Sequence, residues 1–305
     1  MVLVFNCNLM KNVLITGGTG LIGKRLSSLL KSNGYHVRIL SREKINHDSD
    51  QVFTWNIDKR YIDQNAFKDL DHIIHLAGAG IANEKWSNKR KKEIIDSRVT
   101  STELLFNAVK DQKIPLKTFI SASAIGYYGS ITSETIFKET DQAASDFLGN
   151  VCKLWEQSIF QFKKLKIRTV AIRTGIVLSK NGGALKKITG PIIAPLGDGK
   201  QYMPWIHIDD LCKFYIQAIE DNRVKGVFNA VSPEHHTNNS FSKAVAKIYK
   251  RPLLPIGAPG FILKVILGEM STIILNGSRI SSKKMKTYGF KFDFEKLENA
   301  LKNLI

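Results

Sequence analysis

The stretch Val13 to Gly23, V-L-I-T-G-G-T-G-L-I-G, constrains this chain more than any other. Its three apolar residues, Val13-Leu14-Ile15, predict a buried strand. Gly17, Gly20 and Gly23 then set a turn, and Leu21, Ile22, Leu26, Leu29 and Leu30 mark one face of a helix after it. Strand, glycine turn and helix in that order suit a dinucleotide. Glycine lets the backbone pass without a Cβ clash, and the helix N-terminus points free N–H groups at a pyrophosphate. The contacts expected here come from Thr16, Gly17, Thr19, Gly20, Leu21, Ile22 and Gly23.

The pattern then repeats. His36 to Leu40 alternates as a second strand and ends in Ser41-Arg42. In a doubly wound sheet that end faces the adenosine ribose. An acidic residue there would repel a 2′-phosphate, whereas the Arg42 fork and the Ser41 hydroxyl suit one, so NADP(H) is the expected cofactor. Val52 to Asn56 is a third strand. His72 to Leu76 is a fourth, running into Ala77-Gly78-Ala79-Gly80, where small residues leave room for a ligand beside Leu76, Ala77 and Gly78. His75, inside the apolar run, is expected to be packed in the core. A helix is predicted from Asn88 to Lys110, a strand from Lys117 to Ser121, a helix from Val151 to Lys164 and a strand from Ile167 to Ile172. This alternation predicts an α/β Rossmann-type doubly wound parallel sheet with right-handed crossovers.

Beyond residue 178 glycine and proline punctuate the chain. The expected division is a Rossmann domain over 11–178 and a smaller C-terminal substrate or lid region over 179–305, some of whose elements rejoin the sheet. Asp209 or Asp210 should begin a helix that runs to Ile219, and Gly226 to Val231 is a strand. Asn238 to Tyr249 is helical with its N-cap near Ser240. Pro259 to Leu275 looks like a packed apolar lid, and Glu295 to Leu304 is an amphipathic tail helix.

Of the 305 residues, 45 are Lys or Arg and 27 Asp or Glu, a net charge of +18. The lysines are spread along the chain, with no basic stripe interleaved by aromatics, so nucleic acid is not an expected partner. Cys7, Cys152 and Cys212 lack metal-ligand spacing and suit a reducing, cytoplasmic setting. No apolar run approaches the ~20 residues of a membrane span, so no membrane partner is expected. The opening M-V-L-V-F-N-C-N-L-M lacks a basic n-region, and Met10 is an alternative start that would make residues 1–9 an extension. The expected partner is a small molecule, and the expected state a monomer or homodimer.

Three further segments carry a resemblance: S-A-S-A-I-G-Y-Y-G at 121–129, W-I-H-I-D-D at 205–210, and R-T-G-I-V-L-S-K-N-G-G-A-L at 173–185. With the glycine turn they resemble the extended short-chain dehydrogenase/reductases, the NAD(P)-dependent epimerase/dehydratase enzymes. K-K-E-I-I-D-S-R-V at 91–99 and F-L-G-N-V-C-K-L-W-E at 147–156 resemble an atypical epimerase-like branch. R-P-L-L-P at 251–255, L-G-E-M at 267–270 and G-F-K-F at 289–292 resemble that branch's C-terminal domain. The resemblance implies an oxidoreductase or epimerase with an Asn-Ser-Tyr-Lys catalytic tetrad.

Only the serine of that set is kept, as Ser123. Counting back from Glu156 puts Leu148 at the Tyr position and Cys152 at the Lys position; a shift of one gives Gly149 and Lys153. Arg98 occupies the Asn position. Leucine cannot move a proton. Tyr127, Tyr128, Cys152 and His207 are the available substitutes, with aromatic packing, a buried thiol and a hydrogen bond to Asp209 or Asp210 as the structural alternatives. Arg98 could pair with a cofactor phosphate, and Glu93 could line the adenosine edge. Two functions follow: an NADP(H)-dependent enzyme acting on a small polar substrate, or an NADP(H)-binding sensor or scaffold without chemistry. Sugar-nucleotide members place a cation shortly before the 205–210 segment; Lys200 is the nearest here, which argues against that substrate.

Overall fold

The computed structural model describes residues 11–43 and 51–305; the apolar opening and the alternative start at Met10 lie outside the described residues. The glycine turn joins β1 (Asn12–Thr16) to α1 (Leu21–Ser32). Leu26 and Leu30 of α1 are fully buried against the sheet, and Leu21, Ile22 and Leu29 pack at the margin of the same core. The chain continues through β2 (His36–Ser41), β3 (Gln51–Asn56), β4 (Tyr61–Ile62) and β5 (His72–His75). Then come α2 (Asn88–Asp111), β6 (Thr118–Ala124), β7 (Ile136–Phe137), α3 (Phe147–Phe160) and β8 (Arg168–Thr174).

After β8 the chain forms β9 (Ile176–Ser179), β10 (Gly182–Gly183), the short α4 (Ala184–Ile188) and β11 (Trp205–His207). It then returns to the main body as α5 (Ile208–Glu220) and β12 (Gly226–Ala230), followed by α6 (Asn238–Ile248). The tail holds α7 (Gly260–Leu267), α8 (Thr272–Leu275), β13 (Arg279–Ile280), α9 (Lys283–Thr287) and α10 (Leu297–Asn303).

The main sheet runs β12-β8-β6-β5-β1-β2-β3-β4, parallel except for the antiparallel β4 at its edge. Strand order reverses between β1 and β5, which opens a crevice above their C-terminal ends. Its strands are apolar on both faces because helices cover both. On one face α1 and α5 bury Leu26, Leu30, Leu211, Phe214 and Tyr215. On the other, α2 and α3 bury Leu105, Val109, Trp155 and Ile159. Two small sheets stand apart: β10-β9-β11, and β13 paired with β7.

Several boundaries differ from the sequence expectation for local reasons. Ser123 lies inside β6, because the strand continues to Ala124 alongside β8. Helix α3 starts at Phe147, four residues early, because Asp146 caps it by accepting from the Gly149 N–H. Helix α5 is capped by His207 instead of an aspartate: Nδ1 accepts from the Asp209 N–H at 3.1 Å. Thr237, not Ser240, caps α6, and the Ser240 N–H is its donor. The expected packed lid is not packed. Helix α7 has no buried residue, and only Met270 and Ser271 of the segment go inside. Among the described residues, no helix is long and apolar enough to cross a membrane.

Candidate functional site

The glycine turn closes directly under the crevice. Gly17 takes φ +69°, and a Cβ there would lie 2.9 Å from the Leu76 carbonyl carbon. A Cβ on Gly23 would lie 2.3 Å from the Gly17 oxygen and 2.6 Å from the Gly18 Cα. Gly20 is looser, and its N–H donates to the Gly17 oxygen at 3.0 Å. Thr19 stands in the turn between them. The backbone therefore presses against Leu76-Ala77, which leaves the first N–H groups of α1, around Leu21 and Ile22, facing the crevice.

Thr16 fixes this contact from inside. Its Oγ1 accepts from the Leu76 and Ala77 N–H groups, each at 3.2 Å, and pairs with His75 Nδ1 at 2.7 Å. His75 Nε2 lies 3.1 Å from Ser101 Oγ, whose own proton goes to the Ser97 carbonyl. Ser101 must therefore accept from Nε2–H, and His75 Nδ1 must accept from Thr16. Burial pushes the His75 pKa down to about 3, so the ring is neutral. It is a packed core histidine, as its apolar setting predicts.

At the rim, β2 ends at Ser41, whose Oγ accepts from the Glu43 N–H, and Arg42 follows, exposed. Gly78 and Ala79 carry Arg98 from α2 against them. Arg98 Nη2 donates to the Ala79 oxygen at 3.0 Å and Nη1 to the Ile94 oxygen at 2.9 Å. Its guanidinium lies 5.1 Å from the Trp155 ring centroid, and no carboxylate pairs with it among the described residues. Burial pushes its pKa down from the ordinary arginine value, so an anion beside it would be welcome. The Glu93 carboxylate accepts from Arg90 at 2.7 Å and is more than half exposed.

The tetrad positions can be located. A Cβ on Gly126, just past β6, would lie 3.4 Å from Leu148 Cβ and 3.7 Å from Cys152 Sγ. Leu148 and Cys152 thus face the end of β6. In the alternative register Gly149 faces elsewhere, its Cα against the Ala144 carbonyl, and Lys153 turns outward. The Cys152 thiol is buried and its pKa pushed up to about 12, mainly by that burial. It is a packed thiol, not a titrating one.

Three of the four candidate catalytic groups, Ser123, Tyr127 and Tyr128, gather on the Glu156–Arg173 ion pair, and His207 lies apart. Ser123 Oγ donates to Glu156 Oε1 at 2.8 Å, inside the protein. Glu156 also receives Arg173 Nε at 2.7 Å and Nη2 at 2.8 Å. Burial works against the Arg173 charge, but Glu156 outweighs it and holds the guanidinium above its ordinary pKa. Arg173 Nη1 donates to the Tyr128 hydroxyl at 2.9 Å, and that hydroxyl lies 2.7 Å from Asn229 Oδ1 and 3.0 Å from the Lys138 oxygen. Tyr128 is 2% exposed, and burial pushes its pKa up to about 12. Its proton is committed to the network, which sets it apart from Tyr127 as a candidate proton donor. His207 is the α5 cap, stacked 3.9 Å from the Phe294 ring, with its pKa driven down to about 4 by burial. It is a structural histidine and belongs to the tail contact, not to the Ser123 site.

Tyr127 differs. Its ring covers the Arg173 guanidinium at 3.3 Å, and among the described residues its hydroxyl has no hydrogen-bond partner. It lines a cavity of about 530 Å³ with Lys153, Glu156, Gln157, Phe160, Gln161 and Lys164. Helix α3 therefore shows Leu148 and Cys152 to β6 and, about 100° round, Lys153 and Gln157 to this cavity. Sequence reasoning missed Glu156 and Arg173 as site residues. Their signals were a carboxylate third in the i, i+4 series 148, 152, 156 and an arginine closing the apolar run of β8.

Comparison with known proteins accords with this geometry. The profile of the NAD dependent epimerase/dehydratase family matches residues 13–149, and that of a domain of unknown function matches 258–304. An epimerase family protein of Staphylococcus epidermidis is 34% identical over 304 residues, spanning 97% of this chain and 99% of its own. One from Bacillus subtilis is 33% identical over 302 residues, spanning 96% and 98%. A crystal structure of a human epimerase family protein with NADPH superimposes with TM-score 0.84 at 29% identity, covering 96% of this chain and 98% of that one. A UDP-glucose 4-epimerase from Thermotoga maritima, at 21% identity and TM-score 0.76, shares the fold.

Proposed function

The chain belongs to the NAD-dependent epimerase/dehydratase family, and on that premise we propose an NADP(H)-dependent reductase or epimerase acting on a small polar substrate. The observation that carries the reading is the glycine turn pressed against Leu76-Ala77 at the β1/β5 switch point, a cradle that any Cβ on Gly17 or Gly23 would fill. Arg42 at the end of β2 supports a 2′-phosphate, and the human relative described with NADPH is consistent with it. Arg98, a cation without a carboxylate partner beside Gly78-Ala79, would meet a second anionic group of the cofactor.

Bound there, the nicotinamide supplies hydride chemistry. The chain's own residues supply the rest. Ser123 has given its one proton to Glu156, so its oxygen offers lone pairs and accepts a hydrogen bond from a substrate hydroxyl. Tyr127 is the remaining phenol whose proton is uncommitted, and it is the proposed donor. Glu156 and Arg173 are positioning residues that hold Ser123 and Tyr127 on a common ion pair.

A screen of carbonyl substrates for loss of NADPH absorbance tests the enzyme reading, with Ser123→Ala and Tyr127→Phe expected to suppress any turnover. The placement of Leu148 and Cys152 against Gly126 favours a second reading, an NADP(H)-binding sensor or scaffold. Tight binding without turnover across the screen, unchanged in both variants, selects that reading.

A further inference from the structure

Helix α7, G-F-I-L-K-V-I-L, has one polar side chain, Lys264, and leaves most of its apolar surface outward. Phe261 and Val265, and Ile262 and Ile266, are i, i+4 pairs on adjoining lines of the helix, and all four are exposed, Phe261 at 70% and Val265 at 78%. Ile256, 78% exposed, and Leu254 precede them in the chain. Ile192 joins the patch because 191–197 runs beside 252–258: Leu254 N–H donates to the Ile193 oxygen, and Gly197 N–H to the Ala258 oxygen. Seven large apolar side chains therefore form one exposed face, far from ordinary for a surface.

The two segments that build this face carry charge of one sign. No Asp or Glu occurs between residues 157 and 197 or between 235 and 268, the two segments that build it. Lys186, Lys187, Lys250, Arg251 and Lys264 lie within those segments, all exposed and none in an ion pair among the described residues. The acids that directly follow these segments are Glu269, paired with Lys91 at 2.6 Å, and Asp198, exposed and accepting from the Lys200 N–H at 3.0 Å.

We propose that this face docks on an anionic lipid bilayer surface, with α7 lying in the interface and no segment spanning it. An apolar helix face rimmed by unpaired cations is the composition that enters the headgroup boundary of anionic membranes. A second copy of the chain is the poorer occupant, because pairing two such faces would bring the same five cations together on a chain of net charge +18. The face lies on the C-terminal elements, so the inference is independent of the cofactor reading.

The test is co-sedimentation of the full chain with vesicles of phosphatidylcholine alone and with a phosphatidylglycerol fraction. The protein is expected to pellet only with the anionic vesicles. Phe261→Asp/Val265→Asp should abolish pelleting. Lys250→Glu/Arg251→Glu should weaken it, since each surface cation is worth about fivefold in partitioning. All substituted positions are exposed, and thermal melting and circular dichroism of each variant confirm that it is folded. Three results overturn the proposal: wild type remaining in the supernatant with anionic vesicles, pelleting indifferent to lipid charge, or a dimer in light scattering that the Asp variant turns into monomer. The last assigns the face to self-association.

Discussion

Gly23→Ala separates the cofactor cradle from the helix that follows it. The new Cβ would fall 2.3 Å from the Gly17 oxygen, about 0.7 Å inside the shortest separation real Cβ atoms tolerate. The neighbours are backbone, so the turn itself must open. Two stability effects nearly cancel. Overpacking costs about 1–3 kcal/mol, while alanine in place of a helical glycine returns about 1 kcal/mol. Melting should therefore fall by only a few degrees, given about 2–4 °C per kcal/mol for a chain of this scale. Binding has no such compensation. If the shifted turn loses two N–H bonds to a charged phosphate, at about 1.5–3 kcal/mol each, the NADPH dissociation constant should rise at least about a hundredfold. Fluorescence titration with NADPH measures it, and Ser28→Ala, on the exposed face of the same helix, serves as the control. A dissociation constant within threefold of wild type, with melting lowered as expected, would show that the cofactor does not rest on this turn.

Other outcomes follow from the same geometry. Arg42→Glu should weaken NADPH far more than NADH; equal losses would refute a 2′-phosphate contact. Glu156→Gln leaves Arg173 buried beside a neutral amide and should cost about 3–5 kcal/mol in denaturant unfolding, whereas Glu156→Leu/Arg173→Met should cost less than Glu156→Gln alone; a more damaging double variant would contradict the buried-pair account. His72, His75 and His207 are buried neutral, with pKa values lowered to about 4, 3 and 4, chiefly by desolvation. The unfolded chain takes up their protons near pH 6.5 and the native chain does not, so stability falls as pH drops below 6.5. At pH 5 each accounts for about 2 kcal/mol. Asp210, raised to about 6 by burial, works the other way and regains about 1 kcal/mol between pH 7 and 5. Net melting should thus drop clearly from pH 7 to pH 5, and a flat profile would contradict the assignment of neutral histidines.

The main sheet was legible because its strands are short apolar runs separated by helical periodicity, and β1 to α1 announces itself through glycines whose spacing has a steric cause. What escaped was pairing across distance. Glu156 and Arg173 are 17 residues apart, on a helix and a strand, and each alone looks like a surface charge. Their union explains why Tyr128 and Ser123 are held inside. His207 was legible as a residue near a helix start, but its choice over Asp209 as the cap depended on Phe294 arriving from the tail to stack on the ring. The lid failed for a different reason: apolar composition over 259–275 signals burial, and nothing local reveals that α7 is left facing outward.

The Thr16–His75–Ser101 chain has a spectroscopic consequence. Its hydrogen-bond order permits one tautomer, with the proton on Nε2 and the lone pair on Nδ1 turned toward Thr16. Thr16 is also the residue that holds the Leu76 and Ala77 amides beneath the crevice. The His75 ring nitrogens are therefore a buried nuclear magnetic resonance probe, silent to solvent pH across the neutral range. Any ligand that draws on those amides will be registered in the Nδ1 shift before a single bulk property of the protein changes.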